Sequence, residues 1–383
     1  MSENPFPRIE SIDALRGFDM MFIMGFAGLV VALCGALGFG NDCWLARQME
    51  HPAWIGLTHH DTIFPLFIFI AGLTFPFSAE KQFASGKTRL GVSMRILKRM
   101  LVLVLLGMCY EGFFKGTPFR FGSVLGRIGI AWAAAAWLYV FFGVRTRIAL
   151  VAAAILSYWG LNLFVAAPDN PAASVFTPQG NIVCWVDRTV LAPLGRIAPG
   201  SAELPFDNQS LLSNVMAAVS AMFGVFTGEF VKKTRNSLSG DAQALRLAMA
   251  AAAMAATACV IAFGCGRFSF PFSKPLWSPS FTFAVGSYSV AMFALFYWLI
   301  DVKGWWRNTL FFRVIGMNAI AIYIAQPLFS FRHAHKMIFG RFLSFVPEQW
   351  TDVASCATYM VFCWALLYFL HRKKIYFKCS LQN

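Results

Sequence analysis

A histidine, a tryptophan and a carboxylate gather at the mouth of an apolar stretch. The segment His51-Pro52-Ala53-Trp54-Ile55-Gly56-Leu57-Thr58 runs through Asp61 into Ile63-Phe64-Pro65-Leu66-Phe67-Ile68. A carboxylate paired to an imidazole fixes its tautomer and raises its basicity, the arrangement used for general-base or nucleophilic work. Ionisable groups at such a depth usually line a cavity or a reaction path. On one continuous helix His51 and Asp61, ten apart, would lie on different faces, but Pro52 and Gly56 argue that the helix starts later. A loop can then fold the imidazole back over the helix mouth. The competing reading of His51 is a satisfied structural hydrogen bond at a membrane interface.

Other residues carry weaker signals. Arg127, in Ser123-Val124-Leu125-Gly126-Arg127-Ile128, lies well inside an expected span, where it needs a partner such as Glu111, Asp61 or an anionic ligand. Asp13, Arg16 and Asp19 cluster where the first span begins. Asp13 reads as a helix cap paired with Arg16, while Arg16 with Arg95, Lys98 and Arg99 would offer an anionic cofactor a docking surface. Lys98 and Arg99 read more simply as inner-face anchors. Asp187-Arg188 and Glu229 resemble ordinary surface pairs. Asn318 and Gln326, eight apart and so close to one face, suit helix association or an acceptor's hydroxyls. His59-His60 and His333-x-His335 lack the acidic or cysteine companions of a zinc site, so no metal is expected. There is no Walker loop, no Gly-x-Gly-x-x-Gly after a strand and no Gly-x-Ser-x-Gly elbow.

The elements that must position these residues follow from composition. Of 383 residues 58% are hydrophobic and 13% charged, with a mean hydropathy of +0.60, too apolar for a soluble globular fold. The expectation is an all-α polytopic membrane protein with about ten transmembrane helices, at 17–38, 62–79, 96–114, 122–142, 147–166, 211–231, 244–264, 279–300, 309–330 and 353–371. Residues 1–383 read as a single membrane-embedded domain whose longest connection, 167–210, is a long outer loop. The first apolar run is too long for a cleavable leader and is expected to stay. Most of the 32 lysines and arginines fall between spans on one side, which puts both termini in the cytoplasm by the positive-inside rule. That distribution, and not nucleic acid, explains the net charge of +14. The nine cysteines follow no Cys-x-x-Cys spacing. Gly224 and Gly228 form a small-xxx-small pair that reads as a helix contact.

Taken in order along the chain, several motifs together resemble the transmembrane acyltransferase family of heparan-α-glucosaminide N-acetyltransferase, especially its bacterial branch. They are Arg8-x-x-Ser11-x-Asp13-x-x-Arg16-Gly17, His51-x-x-Trp54-x-Gly56 leading to Asp61-x-x-Phe64-Pro65, and Val124-Leu125-x-Arg127-Ile128. Later come Val186-Asp187-Arg188, Phe206-Asp207, Gly228-Glu229, Lys274-x-Leu276-Trp277-x-Pro279-Ser280 and Gly316-Met317-Asn318-Ala319-Ile320. The resemblance implies transfer of an acetyl group from cytoplasmic acetyl-CoA to the amine of a glucosamine-type sugar or glycan across the bilayer, in a bacterial cytoplasmic membrane. It implies that His51 is the active residue, oriented by Asp61, and that it either accepts the acetyl group or deprotonates the sugar ammonium. Arg127, Arg16 and Lys98 are the candidates for holding the anionic donor, and Trp54, Asp187 and Asn318 those for binding the acceptor. Partners on this reading are the lipid bilayer and the acceptor, with room for a homo-oligomer and none for nucleic acid. The alternative is a transporter of an amino sugar or small anion that uses the same polar residues as a binding path.

Overall fold

In hydrocarbon every backbone N–H and C=O must find its partner within its own segment, so uninterrupted apolar runs wind into helices. The structure, a computed structural model, describes residues 9–40, 42–114, 122–191, 207–306, 308–329 and 331–376. Among these the secondary structure is helical apart from one isolated antiparallel bridge between Ala166 and Asn181. The helices are α1 Glu10–Ala36, α2 His60–Ala84, α3 Arg89–Cys109, α4 Val124–Phe141, α5 Val144–Phe164, α6 Ile182–Val190 and α7 Asn214–Thr234. They continue as α8 Gly240–Gly264, α9 Pro279–Val302, α10 Leu310–Met317, α11 Ala319–Leu328, α12 Phe331–Leu343 and α13 Glu348–Arg372. A widened π-type turn at Phe22–Phe26 bends α1 at Gly25.

Eight helices (α1, α2, α4, α5, α7, α8, α9 and α13) are long and apolar enough to cross a membrane, and α10 with α11 supplies a ninth as a pair bent by 67°. The chain is a multi-pass membrane protein. Two of the ten expected spans differ in character. The stretch 96–114 belongs to α3, whose Arg95, Lys98 and Arg99 make it too charged for a plain span. The stretch 309–330 breaks at Asn318 because Gly17 lies against the Phe312 carbonyl and Gly316 against the Asp13 carbonyl, so α10 is held along α1.

The spine of the bundle is α2, the most buried span, with α7 running beside it. A methyl group on Gly72 would collide with the Ala221 carbonyl, one on Gly224 with that of Phe69, and one on Gly228 with that of Leu73. The small-xxx-small pair is therefore a backbone-to-backbone contact, as close packing in lipid requires. At the Ala84 end Glu229 is buried, not a surface residue: Arg147 reaches its two oxygens at 3.1 Å each and Lys233 approaches at 2.9 Å. Lys232 and Glu80 add a 2.7 Å pair there.

Arg8, Phe206, Lys115, Arg120, Arg196, Arg307, Lys378 and the part of the long loop between 192 and 206 lie outside the described residues. The described part of that loop carries α6, which Asn181 caps through the Val183 amide at 2.9 Å.

Candidate functional site

The entry to α2 is built from its own flanking loop. Gln48 satisfies two of the amides that every helix start leaves over: its side-chain oxygen accepts from the His59 amide and its carbonyl from the His60 amide, both at 3.0 Å. Pro52 and Gly56 keep residues 51–58 out of the helix. Gly56 adopts φ +139°, a conformation side chains avoid, and its amide donates to the Phe272 carbonyl at 2.9 Å. That single bond ties the His51 loop to the Pro-stiffened loop before α9. Thr58 completes the turn: its hydroxyl donates to the Glu50 carbonyl at 2.6 Å and its amide to Asp61 Oδ2 at 3.3 Å.

Three titratable side chains meet where the two loops touch. His51 Nδ1 stands 2.7 Å from Asp61 Oδ1, and Lys274 Nζ stands 3.2 Å from the same oxygen. Lys274 Nζ is also 3.3 Å from His51 Nδ1 and 3.4 Å from Nε2. The Asp61 side chain is 1% exposed and that of Lys274 20%, whereas the imidazole is 50% exposed. A carboxylate accepting at Nδ1 assigns the proton to that nitrogen, so Nε2 carries the ring's lone pair, with the Lys274 ammonium 3.4 Å from it. Burial pulls Lys274 down from the usual lysine range, with the Asp61 charge opposing it. The His60 ring lies 4.5 Å from that of His51, centroid to centroid. His59 turns the other way, its Nε2 3.0 Å from the Tyr288 hydroxyl, and burial lowers its basicity.

The remaining candidates are spread over the bundle. Trp54 is packed into the core and its indole N–H donates to the Phe176 carbonyl at 2.7 Å. Arg127 is 1% exposed at the start of α4; its Nη2 donates to the Ser210 carbonyl at 3.1 Å and to the Ser213 hydroxyl, and its guanidinium lies 4.9 Å from the centre of the Trp277 ring. Trp277, buried with φ 51°, presents another part of its ring to Phe64, one turn along α2 from Asp61. Arg127 and Phe64 thus both pack against the one indole. Asp187 is fully buried on α6, accepting from the Leu211 amide at 3.0 Å, and burial pushes its carboxyl up to about 6. It does not pair with Arg188, which instead grips Asp169 at 2.9 and 3.0 Å.

Three expected ligands lie elsewhere. Arg16 pairs with Asp13 at 3.4 Å, Lys98 is exposed on α3, and Asn318 donates to the Ile375 carbonyl at 3.2 Å beyond the end of α13. Arg127, Arg16 and Lys98 thus sit on three different helices. Asn318 is at the Asp13 end of α1, whereas the His59 ring packs on Phe22, nine residues along that helix or roughly 14 Å. A narrow apolar slot lies at the level of Met20 and Ile23 of α1, with Phe64, Phe67, Leu125 and Ile128 on its walls and Ala319 and Tyr323 just past the break.

Sequence reasoning did not put Lys274 in the site. The only signal was its place in the Lys274-x-Leu276-Trp277 motif of a loop stiffened by Pro271, Pro275 and Pro279. The chain is 24% identical to human (Homo sapiens) heparan-alpha-glucosaminide N-acetyltransferase over 97% of its length, and 23% identical to the mouse (Mus musculus) protein over 98%. It is distantly similar to these acetyltransferases. It spans about three fifths of their length, 60% of the human protein and 62% of the mouse protein. No family model matches the chain. The similarity extends over nearly the whole of this chain.

Proposed function

We propose that this membrane protein transfers an acetyl group from acetyl-CoA to the amine of a glucosamine-type sugar, with His51 at the reaction centre. The observation that carries the reading is the 2.7 Å contact of Nδ1 with a buried carboxylate on an imidazole that keeps half its surface open. Such a ring offers Nε2 as a base or nucleophile with its orientation already set. The distant similarity to N-acetyltransferases supports the same chemistry.

In the direct route the acceptor amine adds to the thioester carbonyl while Nε2 takes a proton from nitrogen. The carbon–sulfur bond then breaks and the thiolate recovers that proton from Nε2. In the covalent route Nε2 itself carries the acetyl group between the two halves. Asp61 orients the ring in both. Acetyl-CoA approaches from the cytoplasm on this reading, its acyl end reaching Asp61 along the apolar slot between Phe64 and Ala319, whose walls suit an alkyl arm and not a phosphate. Arg127 stands behind Trp277 as an anchor of the pocket. Trp54 and Asp187 hold the surrounding loops and shape the acceptor side, and Asn318 closes the far end of the slot. The acceptor is an amino sugar on the opposite face, in a cell-wall or imported glycan.

Purified protein given labelled acetyl-CoA and glucosamine is expected to yield N-acetylated sugar. His51→Ala is expected to abolish the product, a loss of at least ~10³-fold, with insertion and melting unchanged. Near-normal turnover by that variant would remove His51 from the mechanism. Uptake of sugar into liposomes without acetylation would replace the enzyme by a carrier.

A further inference from the structure

We infer that Lys274 is the oxyanion-stabilising residue of this site, its ammonium facing the acyl oxygen while His51 Nε2 works at the acyl carbon. The inference rests on the acyl-transfer reading above. Lys274 Nζ lies 3.4 Å from Nε2, so a carbonyl attacked with help from that nitrogen has a cation within contact of its oxygen. Preorganised charge aimed at a developing oxyanion is usually the largest single contribution to an acyl transfer.

The ammonium is held in place from several directions. Asp61 Oδ1 sits 3.2 Å away. The backbone on either side is pinned: the Lys274 carbonyl accepts from the Trp277 amide and the Ser273 carbonyl from the Ser278 amide, both at 3.0 Å. The Tyr158 hydroxyl donates to the Leu276 carbonyl at 2.6 Å, and the Gly56 amide reaches the Phe272 carbonyl. Two of these bonds close the loop on itself, and two fix it from outside, Leu276 to the core and Phe272 to the His51 loop, which is more restraint than a surface charge needs.

The step balances without any further reactant. The amine nitrogen forms its bond to the acyl carbon and gives its proton to Nε2, and the carbonyl π pair moves onto the oxygen beside Lys274. That pair returns as the carbon–sulfur bond breaks, and the thiolate takes the proton from Nε2. Lys274 keeps its three protons throughout, and its charge is shared between Asp61 and the oxyanion.

Lys274→Met keeps the length of the side chain and removes its charge. The expected result is a kcat lower by ~10²–10³-fold with KM for both substrates little changed, the usual effect of deleting one oxyanion donor. Lys274→Cys treated with 2-bromoethylamine regains an ammonium at the same reach and is expected to recover most of the lost kcat, while the same treatment leaves the unsubstituted protein unaffected. In an Asp61→Asn background, Lys274→Met should lower kcat again. A Lys274→Met enzyme within severalfold of normal turnover, or one silent in the Asp61→Asn background, would show that the lysine only neutralises Asp61. If Lys274→Met does not fold, the alkylated and untreated forms of Lys274→Cys decide. Absence of acetyl transfer by the unsubstituted protein overturns the acyl-transfer reading itself.

Discussion

Two clusters in this chain use the same ingredients, a carboxylate with two nitrogen side chains, at opposite ends of the α2–α7 pair. At the Ala84 end the Arg147 guanidinium takes both oxygens of Glu229 at 3.1 Å, Lys233 adds a contact at 2.9 Å, and the arginine also lies 4.9 Å from the Tyr139 ring. The Arg147 and Glu229 side chains are 4% and 11% exposed. At the His60 end His51 and Lys274 both crowd one oxygen of Asp61, and the imidazole is left half open. The difference is what remains after pairing. A carboxylate matched on every side holds helices together, whereas one that orders a partner without enclosing it prepares that partner to react.

The largest test of this contrast is Asp61→Asn, which keeps the shape and removes the charge that selects the Nδ1–H form. Turnover is expected to fall ~10³-fold or more with the melting temperature nearly unchanged, by analogy with the loss of the orienting carboxylate in a catalytic triad. Steady-state kinetics beside a detergent melt reads both. Turnover near normal would reduce Asp61 to a staple like Glu229. Next comes Arg147→Met, which strands Glu229 in the bundle and is expected to destabilise by about 3–5 kcal/mol, with turnover per folded molecule unchanged. A double change, Arg147→Met with Glu229→Leu, should recover much of that loss. If Arg147→Met instead left stability intact and cut turnover, the two clusters would exchange roles. The smallest effect is expected at Asp187, buried on α6. Its carboxyl titrates at about 6 in the fold, above its ordinary value of 3.8, so the folded form keeps a proton that the unfolded chain has released. Stability should therefore fall as pH rises from about 4 to 6, by on the order of 2 kcal/mol, and level off above that. Melting of Asp187→Asn against pH should lack this slope; an unchanged slope would place the titration elsewhere.

Much of the fold was legible because apolar run length translates directly into spans, and the start of α2 was legible from Pro52 and Gly56. What escaped was tertiary. Nothing local in Gly316-Met317-Asn318 demands a break; the contacts of Gly17 and Gly316 with backbone across the α1–α10 seam impose it. Once it exists, the spacing that put Asn318 and Gln326 on one face no longer applies, and they bond Ile375 and Tyr359 instead. Asp187 and Arg188 illustrate a general trap: neighbours on a helix point about 100° apart, so opposite signs side by side in sequence need not touch. One faces inward to Leu211 and the other outward to Asp169. Lys274 was invisible as a site residue because a lysine in an outer loop looks the same whether it meets water or a buried carboxylate.

The bond from Gly56 to Phe272 joins segments made at very different times during synthesis. His51 and Lys274 are 223 positions apart. A ribosome-bound chain that has inserted α2 already owns the imidazole and its carboxylate, yet the lysine arrives only after α8 has emerged. Newborn chains arrested before that point would hold His51 and Asp61 without Lys274, so the cluster is completed late, after α1 to α8 have been made.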